Sequence, residues 1–125
     1  MHADEKDPIT RSILAAAFSV SNELGPGFLE KVYERALIRE LGMLGLRARG
    51  QVKHSILYKG ESVGDYIADL VVQDSVIVEV KCVEGLAPEH VAQCINYLKA
   101  SGMKRGLLLN FQKPRLEWKR LVYEF

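Results

Sequence analysis

Cysteine is scarce: the chain carries 2, Cys82 and Cys94, and they are too widely spaced to form a CxxC pair. That argues against a zinc ribbon or an iron–sulfur cluster and leaves reduced core thiols as the expectation. Histidine is nearly as rare, at 3. His2, His54 and His90 show no HxH or HxxxH spacing, so none is assigned to a metal. An excess of one charge is missing too, with a formal net charge of +1. A nucleic-acid partner would therefore meet a local basic patch rather than a wholly basic surface. No apolar run approaches the ~20 residues needed to span a bilayer. The start, Met1 to Asp7, is polar and acidic where a secretion signal would be apolar. These absences predict a cytoplasmic protein with no membrane partner.

What is present is ordinary for a globular chain: 125 residues, 48% apolar and 26% charged. The expectation is one domain over residues 1–125, large enough for a single core. A helix begins after Asp7 or Thr10 as cap, with Pro8 tolerated in its first turn and Ile13, Ala17, Val20 and Leu24 as its apolar stripe. Gly25-Pro26-Gly27 breaks it. A second helix runs from about Phe28 to Leu44, with Leu29, Tyr33, Leu37, Leu41 and Leu44 inside and Glu34, Arg35 and Arg39 largely outside. Strands follow at Arg47–Tyr58 and on both sides of Gln73-Asp74-Ser75. A helix over Leu86–Ser101 has Pro88 in its first turn and Gly102 as its stop. The buried run of Lys104–Asn110 follows this crossover helix and needs a parallel neighbour. A last strand covers about Trp118 to Tyr123. The order α-α-β-β-β-α-β-β predicts an α/β sandwich, a central mixed sheet flanked by helices.

The most informative stretch is Gly64 to Cys82, two β-branched runs around the polar Gln73-Asp74-Ser75, which reads as a β-hairpin. If Val72 and Val76 are the last pair before the turn, counting back along both strands puts Asp69 opposite Glu79. Lys81 then shares the face of Glu79. Opposed like charges in a sheet cost roughly 0.2–1 kcal/mol, and more if partly desolvated. A hard divalent cation removes that cost, because Mg²⁺ is held by one or two carboxylates plus waters and phosphate oxygens. The blander reading is a solvated sheet edge on which Lys81 neutralises one acid. Glu30 lies at the head of the second helix's buried stripe. Its position along the helix suits the dipole, but its inward heading is not explained that way. Gln93 and Tyr97, four apart on the third helix, can both hydrogen-bond a group at the polar patch, or simply rim the core.

Together the motifs carry a resemblance. The chain resembles the PD-(D/E)XK nuclease superfamily and, within it, the GxxExxY family, over nearly its whole length. Gly27, Glu30 and Tyr33 match the name motif. Asp69 followed by Glu79-Val80-Lys81 matches the D…ExK signature on a hairpin, and Gln93 and Tyr97 look like the QxxxY motif of RecB-like members. Ala68 stands where the superfamily often has proline, and the four-cysteine clamp of some RecB-like relatives is absent.

The resemblance implies a restriction-endonuclease-like core and a Mg²⁺-dependent phosphodiesterase, a deoxyribonuclease, with Mn²⁺ able to substitute. Asp69, Glu79, the backbone carbonyl of Val80 and Glu30 would be the metal-side groups. Lys81 would activate or orient water or stabilise the transition state, with Gln93 and Tyr97 as positioning groups. DNA is the expected partner ahead of RNA, and the small size leaves room for a homodimer. A silent nucleic-acid- or protein-binding module of the same fold is the alternative. Basic clusters at Arg47, Arg49 and Lys53, at Lys99, Lys104 and Arg105, and around Trp118 (Lys113, Arg115, Lys119, Arg120) could meet phosphates or be plain solvated charge.

Overall fold

The structure is a computed structural model that describes residues 7–124. Apart from Asp7, the polar start singled out above lies outside the described residues. Asp7 opens α1 (Pro8–Leu24): its side chain accepts from the backbone N–H of Thr10 at 3.2 Å. The N–H donors that every helix start leaves unpaired are a problem only where water is excluded. Here Asp7 is almost wholly buried, so the cap is needed. Ile13, Ala17 and Val20 are buried as the stripe predicted. α2 (Glu30–Met43) follows the Gly25–Leu29 loop. Tyr33, Leu37 and Leu41 face the core, but Leu29 and Leu44 are 79% and 54% exposed, so the stripe is shorter than expected.

The strands are β1 (Ala48–Tyr58), β2 (Glu61–Val72), β3 (Val76–Lys81), β4 (Arg105–Asn110) and β5 (Glu117–Val122), with α3 (Pro88–Ser101) crossing over between β3 and β4. Spatial order follows chain order, β1-β2-β3-β4-β5. Only β3 and β4 run parallel; the other neighbours are antiparallel. The crossover helix therefore delivers the parallel neighbour that the apolar Leu107-Leu108-Leu109 run required. α1 and α2 cover one face through Ile13, Val20, Tyr33, Leu37, Leu70, Val78 and Leu109. α3 covers the other through Leu98 against Ala68, Val71 and Ile77. α3 comes so near that a Cβ on Gly106 would meet Sγ of Cys94 at 3.0 Å. Any larger residue there would require Cys94 to give by a few tenths of an ångström.

The hairpin register is as counted: Val72 pairs with Val76 and Leu70 with Val78. The turn holds Gln73 and Asp74 at φ of 54° and 50°, the left-handed conformation that hairpin turns favour. Alternation then fails at one point. Leu70 and Val72 join the first core, Val71 the second, yet Tyr66 and Ala68 also join the second. β2 thus changes the face it offers at Asp69. Across the ladder Gln51, between the pairs Gly50↔Leu70 and Val52↔Ala68, takes φ of 54°. The pairing of β2 with β3 covers only Leu70 to Val72, so the rest of the β1–β2 hairpin projects beyond it. Among the described residues no helix is long and apolar enough to cross a membrane.

Candidate active site

Because β2 leaves β3 after Leu70, the β2-side edge of β3 loses its partner from Glu79 onward. The backbone of Lys81 points the other way, its carbonyl accepting from Phe111 N–H at 3.0 Å. Val80 and Cys82 must therefore aim their N–H groups at the open edge. Side chains fill the vacancy. Oδ2 of Asp69 accepts from Val80 N–H at 2.8 Å, and Oε2 of Glu30 accepts from Cys82 N–H at 3.1 Å. The Val80 carbonyl shares the edge of its own N–H, beside Asp69.

Glu79 lies on the α3 side of β3 and is 5% exposed. Burial first, then the Asp69 carboxylate beside it, push its pKa up to about 9, with the Lys81 ammonium working in the opposite direction. At neutral pH the carboxyl is therefore protonated and can share that proton with Asp69. Its Oε1 is buried and has no hydrogen-bond partner among the described residues. An orphaned buried oxygen costs roughly 1–3 kcal/mol, so the arrangement is unfavourable as it stands and would be relieved by a cation. Lys81 is half-buried at the rim.

Glu30, Tyr33 and Gly27 have a shared local task. The Tyr33 hydroxyl donates to the Gly25 carbonyl at 2.6 Å and accepts from Phe28 N–H at 3.2 Å. Its ring is fully buried and stacks on Phe111 at 4.7 Å. Gly27 sits at φ of 115°, a conformation that L side chains rarely adopt. The loop is thereby pressed against the end of β3, and Glu30, itself exposed, reaches Cys82.

Glu34 corrects the sequence reading. Expected outside, it is 7% exposed, and its carboxylate accepts from Nε2 of Gln51 at 2.7 Å. Burial and then the charge of Asp69 raise its pKa. The available signal was its spacing: Glu34 is one turn beyond Glu30 and three residues before Leu37, hence on the same face as both. Asp69 thus interacts with Glu79 from β3 and with Glu34 from α2.

Tyr97 and Gln93 approach from α3. Burial raises the phenol pKa of Tyr97, and so do the nearby charges of Glu79 and Asp69; a hydrogen bond with Gln93 pulls the other way. Behind it Tyr66 stacks at 4.0 Å and donates to the Tyr97 carbonyl at 2.9 Å. Cys94 is buried near Glu79, its thiol pushed up to about 12 mainly by burial, and is inert as a nucleophile.

Several of the basic side chains have internal partners. Arg47 and Arg49 pair with Asp74, Lys53 with Asp65, Lys113 with Glu117, and Arg105 and Arg120 with Asp7. The cluster at Arg47, Arg49 and Lys53 is thereby paired throughout, whereas the other two are paired only in part, through Arg105, Lys113 and Arg120.

Among the described residues no three Asp, Glu, His or Cys side chains stand close enough to form a ready-made metal cluster. The donor set nevertheless fits a hard cation of the Mg²⁺ kind. Such an ion needs one or two carboxylates and keeps its waters, and the Asp69–Glu79 pair, with its unsatisfied oxygen, supplies them.

An α/β sheet with an Asp on one strand and Glu-x-Lys on the next defines a class, and the family comparison agrees. The chain belongs to the PD-(D/E)XK nuclease superfamily, whose family model matches residues 7–121. Nucleases of that superfamily generally use divalent metals. No curated protein matches the chain. Among solved structures it is similar to SSO0001, with TM-score 0.60 and 19% identity over 77% of this chain, and it spans only 51% of that protein. It is also similar to an alkaline exonuclease, LHK-Exo, from Laribacter hongkongensis, with TM-score 0.52 and 12% identity over 92% of this chain and 82% of that one. At these identities the likeness is one of fold.

Proposed function

We propose that this protein is a metal-dependent nuclease that hydrolyses phosphodiester bonds in DNA, with RNA the lesser candidate. The observation that carries the reading is Glu79: an acid held out of water, beside a second acid, with an oxygen that no group among the described residues satisfies. Such an arrangement is unfavourable for folding alone and suits a cation-binding chemistry.

In this reading Asp69 and Glu79 hold the ion, with the Val80 carbonyl on the same edge and Glu30 adding its charge directly or through water. Mg²⁺ is the expected ion and Mn²⁺ a substitute. When bound, it lowers the pKa of water and neutralises charge at the scissile phosphate. Lys81 orients or deprotonates the attacking water, or stabilises charge building on the phosphate. Gln93 fixes the Tyr97 hydroxyl, and the two position Lys81, the water or the phosphate. Glu34 holds Gln51 and so keeps the strained point of β1 in place beside Asp69. The same reading takes residues 1–125 as one nuclease-like domain of the GxxExxY branch, with a QxxxY motif, working in the cytoplasm and able to act as a homodimer.

A silent binding module of the same fold is the competing reading, favoured by the lack of a three-donor cluster among the described residues. Calorimetric titration with Mn²⁺ separates the two. Binding that disappears in Asp69→Ala, together with Mn²⁺-dependent cleavage of DNA, supports the enzyme. A wild type that neither binds the ion nor cleaves any of a panel of single- and double-stranded substrates is the binding module.

A further inference from the structure

An open cleft of about 710 Å³ runs along α3 beneath the projecting part of β1, within the ~300–1,000 Å³ range of small-molecule sites. Ile56 and Leu57 form one wall; Ala92, Gln93, Asn96 and Tyr97 form the other. Leu57 is 66% exposed, a large apolar side chain at the mouth of a cleft. The amides of Gln93 and Asn96, one turn apart, each offer both a donor and an acceptor. Tyr97 ends a stack of rings: His54 lies 5.3 Å from Tyr66, which lies 4.0 Å from Tyr97. One face of Tyr97 is covered by Tyr66, and the remainder of the ring is what the cleft receives.

Tyr97 also belongs to the candidate active site, so the cleft starts where that site ends. Gln93 and Tyr97 belong to both, so a strand whose phosphate lies at Asp69, Glu79 and Lys81 leads from the one into the other. We propose that the cleft takes an unpaired nucleobase from the nucleotide next to the scissile phosphate, which makes single-stranded or frayed nucleic acid the preferred substrate. The inference rests on the nuclease reading and adds the form of its substrate.

Three features select this occupant. Apolar walls suit the faces of a base, and those faces are accessible only when the base has left its stack. Amides with both a donor and an acceptor can meet the edge of any base, so the site reads strandedness and not sequence. The charge is polarised as well: Lys99, its ammonium held 5.5 Å over the Tyr123 ring, lines one end of the cleft, and Glu89, in the first turn of α3, lines the other. The next phosphate of the strand is directed to the Lys99 end.

The test uses the full chain and short DNA oligonucleotides carrying a fluorescent adenine analogue that stacking quenches, first without divalent metal and then with Mn²⁺. Wild type should bind the single strand more tightly than the matching duplex and quench the analogue. Leu57→Ser and Ala92→Leu, both at exposed positions, should weaken single-strand binding about tenfold, as loss of one base contact does, remove the quenching and leave duplex binding and the melting temperature unchanged. If wild type cleaves single and double strands equally and both variants match it in binding and cleavage, the cleft proposal falls and the nuclease reading stands. If nothing is cleaved but the variants still lose single-strand binding, the cleft is a site for an unpaired base, while the nuclease reading and the substrate preference drawn from it fall. A protein that ignores every oligonucleotide, or whose cleft variants only break a dimer, overturns the proposal in favour of another occupant.

Discussion

The backbone N–H of Val80 donates to Oδ2 of Asp69 at 2.8 Å, so the carboxylate that faces Glu79 is also the tie between β2 and β3 where their pairing stops. Ligand and structural brace are the same side chain. Asp69→Ala removes both and should cost about 1.5–3 kcal/mol, the range for a hydrogen bond to a charged acceptor. It also relieves Glu79, but burial outranks Asp69 in raising that pKa, so the lost bond should dominate. Asp69→Asn keeps an oxygen for Val80 and should retain most of the stability. Urea unfolding measures the difference, and Mn²⁺ calorimetry should show both variants silent. Equal stabilities for Ala and Asn would remove the brace from the account.

Lys81 is the cation beside the acidic pair, half-buried at the rim. Lys81→Ala should lower cleavage by about 100-fold or more, the usual effect of removing a proton-transfer or charge-stabilising group. The melting temperature should move by no more than a few degrees. Initial rates on a labelled oligonucleotide, read beside a melting curve, check both halves. Equal rates for the variant and wild type would end the nuclease assignment of this lysine.

Glu79 predicts a pH dependence whose sign can be worked out. Its pKa is raised from 4.5 to about 9 on folding, so the folded chain holds the proton more tightly than the unfolded chain. The related stability is fully present below about pH 4.5 and drains away as pH climbs toward 9. Glu79→Gln has no such loss. At pH 8 the variant should therefore be more stable than wild type by at least ~1 kcal/mol, and the gap should close on acidification. Mn²⁺ should raise the melting temperature of wild type alone. A gap independent of pH would contradict the buried, protonated acid.

Much of this arrangement was legible in the sequence because it rests on local rules. The hairpin register followed from Val72 and Val76 flanking a polar turn, and it held to Leu70↔Val78. The parallel neighbour of β4 followed from a buried run after a crossover helix. Where reading failed, the cause was a break in periodicity. Strict alternation cannot foresee that β2 changes face at Asp69, since the enabling irregularity is a positive φ at Gln51, a residue with no sequence preference for it. Glu34 was missed for a related reason: a period of 3.6 admits both Tyr33 and Glu34 to the inner face, and polarity alone sends Glu34 outward. Whether a basic side chain already has a partner was also out of reach, because Asp7 meets Arg105 and Arg120 only through the fold.

Tyr33 offers a test of the loop that brings Glu30 to β3. Tyr33→Phe keeps the stack on Phe111 but removes the donor to the Gly25 carbonyl and the acceptor for Phe28 N–H. A cost of about 1–3 kcal/mol is expected, since partly buried backbone groups lose their partner. If Glu30 matters through its position, the variant should also bind Mn²⁺ more weakly. Hydrogen exchange at Phe28 and Cys82 should quicken together, and unchanged exchange at Cys82 would uncouple the loop from the site.

Asp7 provides the last prediction, one that concerns the fold and leaves the site alone. It caps α1 and ties it to the far strands through Arg105 and Arg120. Burial acts to raise its pKa, but bonds from Thr10 and the charge and bonding of the two arginines together bring it below 3.8. A carboxylate depressed on folding adds stability above its unfolded pKa, and that stability is lost as pH falls through the lower folded value. Asp7→Asn keeps a competent cap and loses the charge. With the arginine side chains still 29% and 20% exposed, the cost should fall below the 3–5 kcal/mol of a fully buried pair, to about 2 kcal/mol at pH 7. Asp7→Ala loses the cap as well, for about 1 kcal/mol more. Denaturant unfolding at pH 7 and again below pH 3.8 should find the gap between wild type and Asn narrowing in acid, while the gap between Asn and Ala stays constant. If the first gap does not narrow, Asp7 stabilises α1 as a cap alone and its ion pairs contribute nothing to the fold.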